Sequence, residues 1–210
     1  TGIRRVTIYI DGFNLYYALL KPNPAVRWLD LAALGAARRP ADTVTVRYFT
    51  AKVLSIPDPG SGMRQRLYLK ALETLSNVTV HFGQFKAHQV RMALVAPPAN
   101  GSRTALVWKT EEKGSDVNLA TALLKDAFLN DFEQAVVISN DSDLAAAIRV
   151  VRVDAKLPVH VISPYPSVTK DLRTAATSSR VLDKALLPHH QLPPTVILSD
   201  GTKLLKPKGW

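Results

Sequence analysis

Ala135-Val136-Val137-Ile138-Ser139-Asn140-Asp141-Ser142-Asp143 is the stretch on which the fold turns. Its opening apolar run does not alternate, so it reads as a strand buried on both faces, as strands of a parallel sheet are. The polar residues that follow close the strand and open a helix reaching about Ala155. Pro158 to Ser163 then reads as another strand, the last of the sheet.

The same rhythm runs backward toward the N-terminus. Residues 4–10 form a β-branched strand that stops at Asp11, and Phe13 to Leu20 reads as a helix ending before Pro22. A helix is expected around 29–38, a strand over 43–53, a helix from Gly60-Ser61-Gly62 to about Ser76, and a strand over 78–84. Residues 85–109 break the pattern. Two alternating segments, about 86–95 and 103–109, flank Pro97-Pro98-Ala99-Asn100-Gly101 and predict a β-hairpin-like insertion. A helix over about 115–129 follows. After Ser163 a helix is expected within 167–187, and then a Pro-rich basic tail, 188–210, free to pack or to move. Strands alternating with helices predict an α/β fold in three α/β/α layers with a mostly parallel sheet. The expected organisation is one domain over 1–187 and the tail over 188–210.

Composition narrows the chemistry. The 210 residues carry 27 Lys+Arg against 17 Asp+Glu, a formal charge of +10. The excess is uneven: residues 1–105 hold 14 basic against 5 acidic residues, and 106–210 hold 13 against 12. A basic body around a local acidic cluster suits a metal-dependent enzyme acting on a polyanion, nucleic acid above a small anion. No cysteine is present, which rules out disulfides and thiolate chemistry and suits a cytoplasmic protein. Arg4-Arg5 before a short apolar run does not make a secretory leader, because the run stops at Asp11. The chain lacks a P-loop, a dinucleotide-binding glycine fingerprint and an Asp-x-Asp after the first strand. Its five histidines show no zinc-ligand spacing.

The acids occupy telling positions. Asp11, Asp116, Asp141 and Asp143 fall at three predicted junctions on the strand-end edge, where α/β folds bind ligands. One acid at each junction is needed for nothing more than helix capping. Asp141 and Asp143 together exceed that need, since two adjacent carboxylates repel. Such a cluster calls for a hard divalent cation, Mg²⁺ or Mn²⁺. Glu112 and Asn118 lie near enough in sequence to support the site. Lys113, Arg91 and Arg103 are candidates for phosphate contacts, and Tyr16 or Trp108 for stacking a base.

These segments resemble the NYN domain family of the PIN-like nuclease superfamily. The likeness rests on Tyr9-Ile10-Asp11-Gly12-Phe13-Asn14-Leu15-Tyr16, on Glu111-Glu112-Lys113-Gly114-Ser115-Asp116-Val117-Asn118-Leu119 and on Val137-Ile138-Ser139-Asn140-Asp141-Ser142-Asp143-Leu144. It spans roughly residues 4–180. It implies a PIN-like fold and a divalent-metal ribonuclease. Asp11, Asp116, Asp141 and Asp143 would then hold the metal, Asn14 would assist, and Ser139 would shape the pocket. Two other readings stay open: a non-catalytic RNA- or protein-binding module, and a metal-dependent hydrolase of a small phosphorylated compound.

Overall fold

A computed structural model of the chain describes residues 2–37, 42–53, 55 and 58–210. The first strand, β1 (Arg5–Asp11), is followed without a loop by a short helix, α1 (Gly12–Leu15), and a π-helical stretch, Tyr16–Leu20. Helix α2 (Leu31–Ala36) is capped by the Asp30 carboxylate, which accepts from the Ala33 N–H at 2.8 Å. The expected end of this helix at residue 38 lies outside the described residues. Next come β2 (Thr43–Thr50), α3 (Ser61–Leu72) and β3 (Val78–Phe82). An antiparallel ribbon, β4 (Gln84–Ala93) with β5 (Thr104–Lys113), forms the insertion. The chain continues through α4 (Ser115–Phe128), β6 (Gln134–Ile138), α5 (Ala145–Val153), β7 (Val159–Ser163), α6 (Lys170–Ala175) and β8 (Ser178–Val181).

Six strands make one parallel sheet in the order β3-β2-β1-β6-β7-β8. The chain runs outward from β1 to β3 and then crosses back to start again at β6. The order therefore reverses between β1 and β6, and a crevice opens there at the carboxyl ends of the strands. Alternation along β1 and β6 splits the core in two. Val6, Ile8, Ile10, Val136 and Ile138 pack against α2, α3 and the first helix. Tyr9, Ala135 and Val137 pack against α4, α5 and α6. Covering both faces produces the three-layer α/β/α arrangement, PIN-like in its architecture. Among the described residues, no helix is long and apolar enough to cross a membrane.

The C-terminal part differs from the sequence expectation. Val159–Ser163 is not the last strand of the sheet: the stretch 167–187 holds α6, then β8 paired to β7, and then the start of a 3-10 turn, Lys184–His189. The short polar sequence Ser178-Ser179-Arg180-Val181 gives no apolar run to read. As an edge strand it needs none, since one flank and part of each face meet solvent. The tail, expected either to pack or to move, packs. It forms a small hairpin, β9 (Thr195–Ile197) with β10 (Lys203–Leu205), and buries Leu192, Val196 and Leu204 in the core that holds α2 and α3. The Trp28 indole N–H donates to the Pro193 carbonyl at 2.9 Å and fixes the tail in place.

Candidate active site

The crevice between β1 and β6 is lined by a chain of hydrogen bonds. Asp11, the last residue of β1, accepts from the Asn14 N–H through Oδ1 at 3.0 Å, so it caps α1. Its Oδ2 accepts from the Ser139 hydroxyl at 2.9 Å. Ser139 is fully buried just past β6, and its Oγ accepts from the Asp141 N–H at 3.1 Å. The Asn14 side-chain carbonyl accepts from the Asn140 N–H at 3.0 Å, a second link between the two strand ends. The Asp141 carboxylate caps the next turn by accepting from the Asp143 N–H at 3.0 Å. Asp11, Asn14, Ser139, Asp141 and Asp143 are thus joined in one network at the switch point.

Asp11 is the electrostatic centre of this network. Its carboxyl is pushed above the usual carboxylate range, mainly by burial. The bonds from Asn14 and Ser139 oppose that shift, while the charges of Asp141 and Glu112 add to it. Gly12 makes the close packing possible. A Cβ there would lie 2.7 Å from the Phe49 carbonyl oxygen and 2.8 Å from the Tyr48 ring.

The third junction differs from the other two. The strand before Asp116 is β5 of the ribbon, outside the central sheet. Asp116 sits half-buried in the first turn of α4, where it accepts from the Val117 N–H at 2.8 Å. The acid that Asp11 senses from this segment is Glu112. Its Oε1 accepts from the Ser115 N–H at 2.9 Å and from the Ser115 hydroxyl at 2.6 Å. Asn118 Nδ2 donates to the Phe82 carbonyl at 3.3 Å and ties the start of α4 to the end of β3. Lys113 ends β5 with its ammonium 3.4 Å from Glu111. Arg91 lies on the ribbon opposite Leu106, and Arg103 lies at its outer end, where its carbonyl accepts from the Leu94 N–H at 2.9 Å.

The donors at this edge are all oxygens, the set that hard cations select. Among the described residues, no three acids or histidines are placed to close around one ion. That arrangement still suits Mg²⁺, which keeps several waters and binds through one or two carboxylates plus substrate phosphate. Asp11, whose carboxylate accepts from Ser139, and Asp141, whose charge acts on Asp11, are the pair that could hold it.

A cleft of about 500 Å³ begins at Gly12, next to Asp11, lined further by Phe13, Tyr16 and Tyr17 and by Tyr48 and Thr50 from the end of β2. Arg64, Tyr68 and Trp210 complete its walls. Of the two rings singled out in the sequence for stacking, Tyr16 lines this cleft and Trp108 stands half-exposed on the ribbon. Sequence reasoning missed the rest of the cleft. The one signal for it was the spacing of Phe13, Tyr16 and Tyr17, which share one helical face directly after Asp11-Gly12.

Known proteins resemble this chain in sequence or in fold. The chain is 30% identical over 196 residues to 6-hydroxy-3-succinoylpyridine 3-monooxygenase HspA of Pseudomonas putida, covering 81% of this chain and 62% of that protein. It thus spans less than two thirds of that relative's length. A crystal structure of a Vibrio parahaemolyticus protein of unknown function superposes with a TM-score of 0.53 at 14% identity, covering 86% of this chain and 94% of that one. That likeness is one of fold. The family model of the NYN domain matches residues 5–183, a stretch that contains the switch-point crevice and every acid around it: the chain belongs to the NYN domain family.

Proposed function

We propose that this protein is a divalent-metal-dependent ribonuclease that hydrolyses phosphodiester bonds at the β1/β6 crevice. The observation that carries the reading is the Asp11–Ser139–Asp141 chain of hydrogen bonds, which holds the Asp11 carboxylate and the Asp141 backbone on one buried hydroxyl, near enough for the two acids to act on each other, with an open cleft beginning at Gly12. Membership of a family with a nuclease-type domain supports it, and so does the excess of basic residues.

When bound, Mg²⁺ or Mn²⁺ supplies an acidified water and a Lewis acid for the phosphate. Asp11 and Asp141 would hold the ion, Glu112 would add negative charge beside Asp11, and Asp116 and Asp143 would complete the acidic edge. Ser139 keeps Asp11 oriented by donating to its Oδ2. Asn14 locks the loop after β6 to the helix after β1, so the two carboxylates keep their spacing. Lys113, at the inner end of the ribbon, holds a flanking phosphate, while Arg91 and Arg103 contact the RNA further out.

Cleavage of an end-labelled single-stranded RNA in Mn²⁺ or Mg²⁺ tests this, with EDTA and Asp141→Asn as controls. Cutting is expected to require the ion and to fall by about 100-fold or more in the variant, since even outer-shell partners of a metal cost 10–100-fold. Retention of full activity by a folded Asp141→Asn would remove the site assignment. The exposed apolar side chains of the ribbon, Leu106 and Trp108 among them, favour one alternative, a binding module. RNA binding that persists in EDTA with no cleavage would establish it. Oxygen-dependent turnover of 6-hydroxy-3-succinoylpyridine, the compound in the Pseudomonas relative's name, belongs in the same panel. Turnover there without RNA cleavage would replace the nuclease reading.

A further inference from the structure

We infer that the cleft beside Asp11 is a nucleobase subsite, which takes one unpaired base of a single-stranded RNA and so restricts the enzyme to unpaired substrate. The inference rests on the ribonuclease reading and adds its substrate class. The first argument is position. Gly12 lines the cleft and directly follows Asp11, while Tyr48 lies opposite Ile10 in the β1–β2 register. Cleft and carboxylates therefore open on the same edge of the sheet. A base held in the cleft leaves its own phosphate at that edge.

The second argument is chemistry. Tyr17 is 53% exposed, and its ring stacks on Phe13 with centroids 6.3 Å apart and a 22° angle between the planes. The Lys21 ammonium lies 4.9 Å from the Tyr17 ring centre. The ammonium lies over the ring, so a base stacking on Tyr17 takes its place and leaves Lys21 for the adjoining phosphate. The floor is rigid, because Tyr68 is buried and donates to the Leu29 carbonyl at 2.8 Å. Arg27 plays a structural part. Its guanidinium donates to the Leu20 carbonyl at 2.8 Å and the Gly209 carbonyl at 3.3 Å, which holds Trp210 as one wall.

The third argument is size. About 500 Å³ falls within the range of small-ligand pockets, roughly 300–1,000 Å³. A base stacked inside a duplex cannot enter such a cleft without leaving its partner.

The test uses the full chain carrying Asp141→Asn to block cutting, with fluorescence anisotropy of a labelled single-stranded decamer in Mg²⁺. Adding Tyr17→Ala is expected to weaken binding about tenfold, the loss typical of one stacked base, and Tyr17→Phe is expected to restore it. In the cutting enzyme, Tyr17→Ala should raise KM by a similar factor and leave kcat unchanged. The same sequence as a duplex should bind the Tyr17→Ala protein and its parent equally. Tyr17 is exposed, so the fold is expected to survive, and a matching thermal melt confirms that. Binding and KM within twofold of the parent, in an enzyme that still cuts, would overturn the subsite and leave the ribonuclease reading intact. Tyr17-dependent binding by a wild-type protein that never cuts would support the subsite and sink the ribonuclease. Saturable binding of a free heteroaromatic acid such as nicotinate, undisturbed by excess RNA, would overturn the RNA assignment of the cleft.

Discussion

Asp11 ties the stability of the fold to pH. Its raised pKa, caused first by burial, means that the folded state holds this proton more tightly than the unfolded chain does. Its contribution is therefore fully present below the unfolded value and is lost as pH rises through the folded value. Wherever Asp11 is ionised in the folded state, its buried charge destabilises the fold. Asp11→Asn keeps an acceptor for the Asn14 N–H and removes the charge. It is expected to raise Tm at neutral pH by about 2–4 °C for each kcal/mol relieved, and to leave Tm unchanged near pH 3. Calorimetry at both pH values checks this; equal shifts at the two would eliminate charge burial as the cause. Added Mg²⁺ is expected to raise the Tm of the parent and not that of the variant, because a ligand stabilises only the state that binds it.

At the scale of elements, α4 is anchored by a buried polar knot. Asp126, 2% exposed, accepts from the Tyr9 hydroxyl at 2.6 Å and from Arg47 Nη2 at 3.0 Å. It joins α4 to β1 and β2 and so holds the other end of that helix, with Ser115 and Asp116, at the strand ends. Asp126→Ala would leave Arg47 and the Tyr9 hydroxyl without this partner and is expected to cost about 3 kcal/mol, at the low end for a broken buried pair. Urea unfolding measures it; a loss under about 0.5 kcal/mol would show that water replaces the carboxylate there. Nothing in the sequence announces this role, because one acid in an amphipathic helix reads as surface. The layers were legible for the opposite reason. The runs at Val6–Ile10 and Ala135–Ile138 are almost wholly apolar, and only a strand covered on both faces needs that. Asp11, Asn14, Asp141 and Asp143 were legible because each stands immediately after or just beyond such a run. The inward turn of Glu112 and the shape of the cleft were not, since both depend on how the ribbon, α3 and the tail meet.

For the whole molecule, the ribbon is the part most separable from the rest. Its two strands pair along their full length, from Gln84 opposite Lys113 to Ala93 opposite Thr104, and join the body at Gly83 and Gly114. A Cβ at Gly83 would meet the Lys113 carbonyl oxygen at 2.8 Å, so the base of the ribbon is tightly seated. Replacing residues 88–109 with Asn-Gly would join Ala87 to Thr110, which already face each other in register. That variant is expected to melt within about 2–4 °C of the parent. It should also bind single-stranded RNA more weakly, because Arg91, Arg103 and Lys109 are gone. The salt slope should fall by about 0.7 for each phosphate that those side chains neutralise. An unchanged slope would place RNA entirely on the body.

The Ser139 hydroxyl has a single hydrogen, and it points to Asp11, while Asp141 N–H points to the same oxygen. The three groups form a line of dipoles running in one direction, from the second half of the sheet to the first. A backbone N–H can only donate, so the line cannot reverse: Ser139 Oγ accepts from Asp141, and its own hydrogen is left for Asp11. The crevice therefore has a fixed polarity as well as a shape, with the hydrogen end of the line turned toward the Asp11 carboxylate.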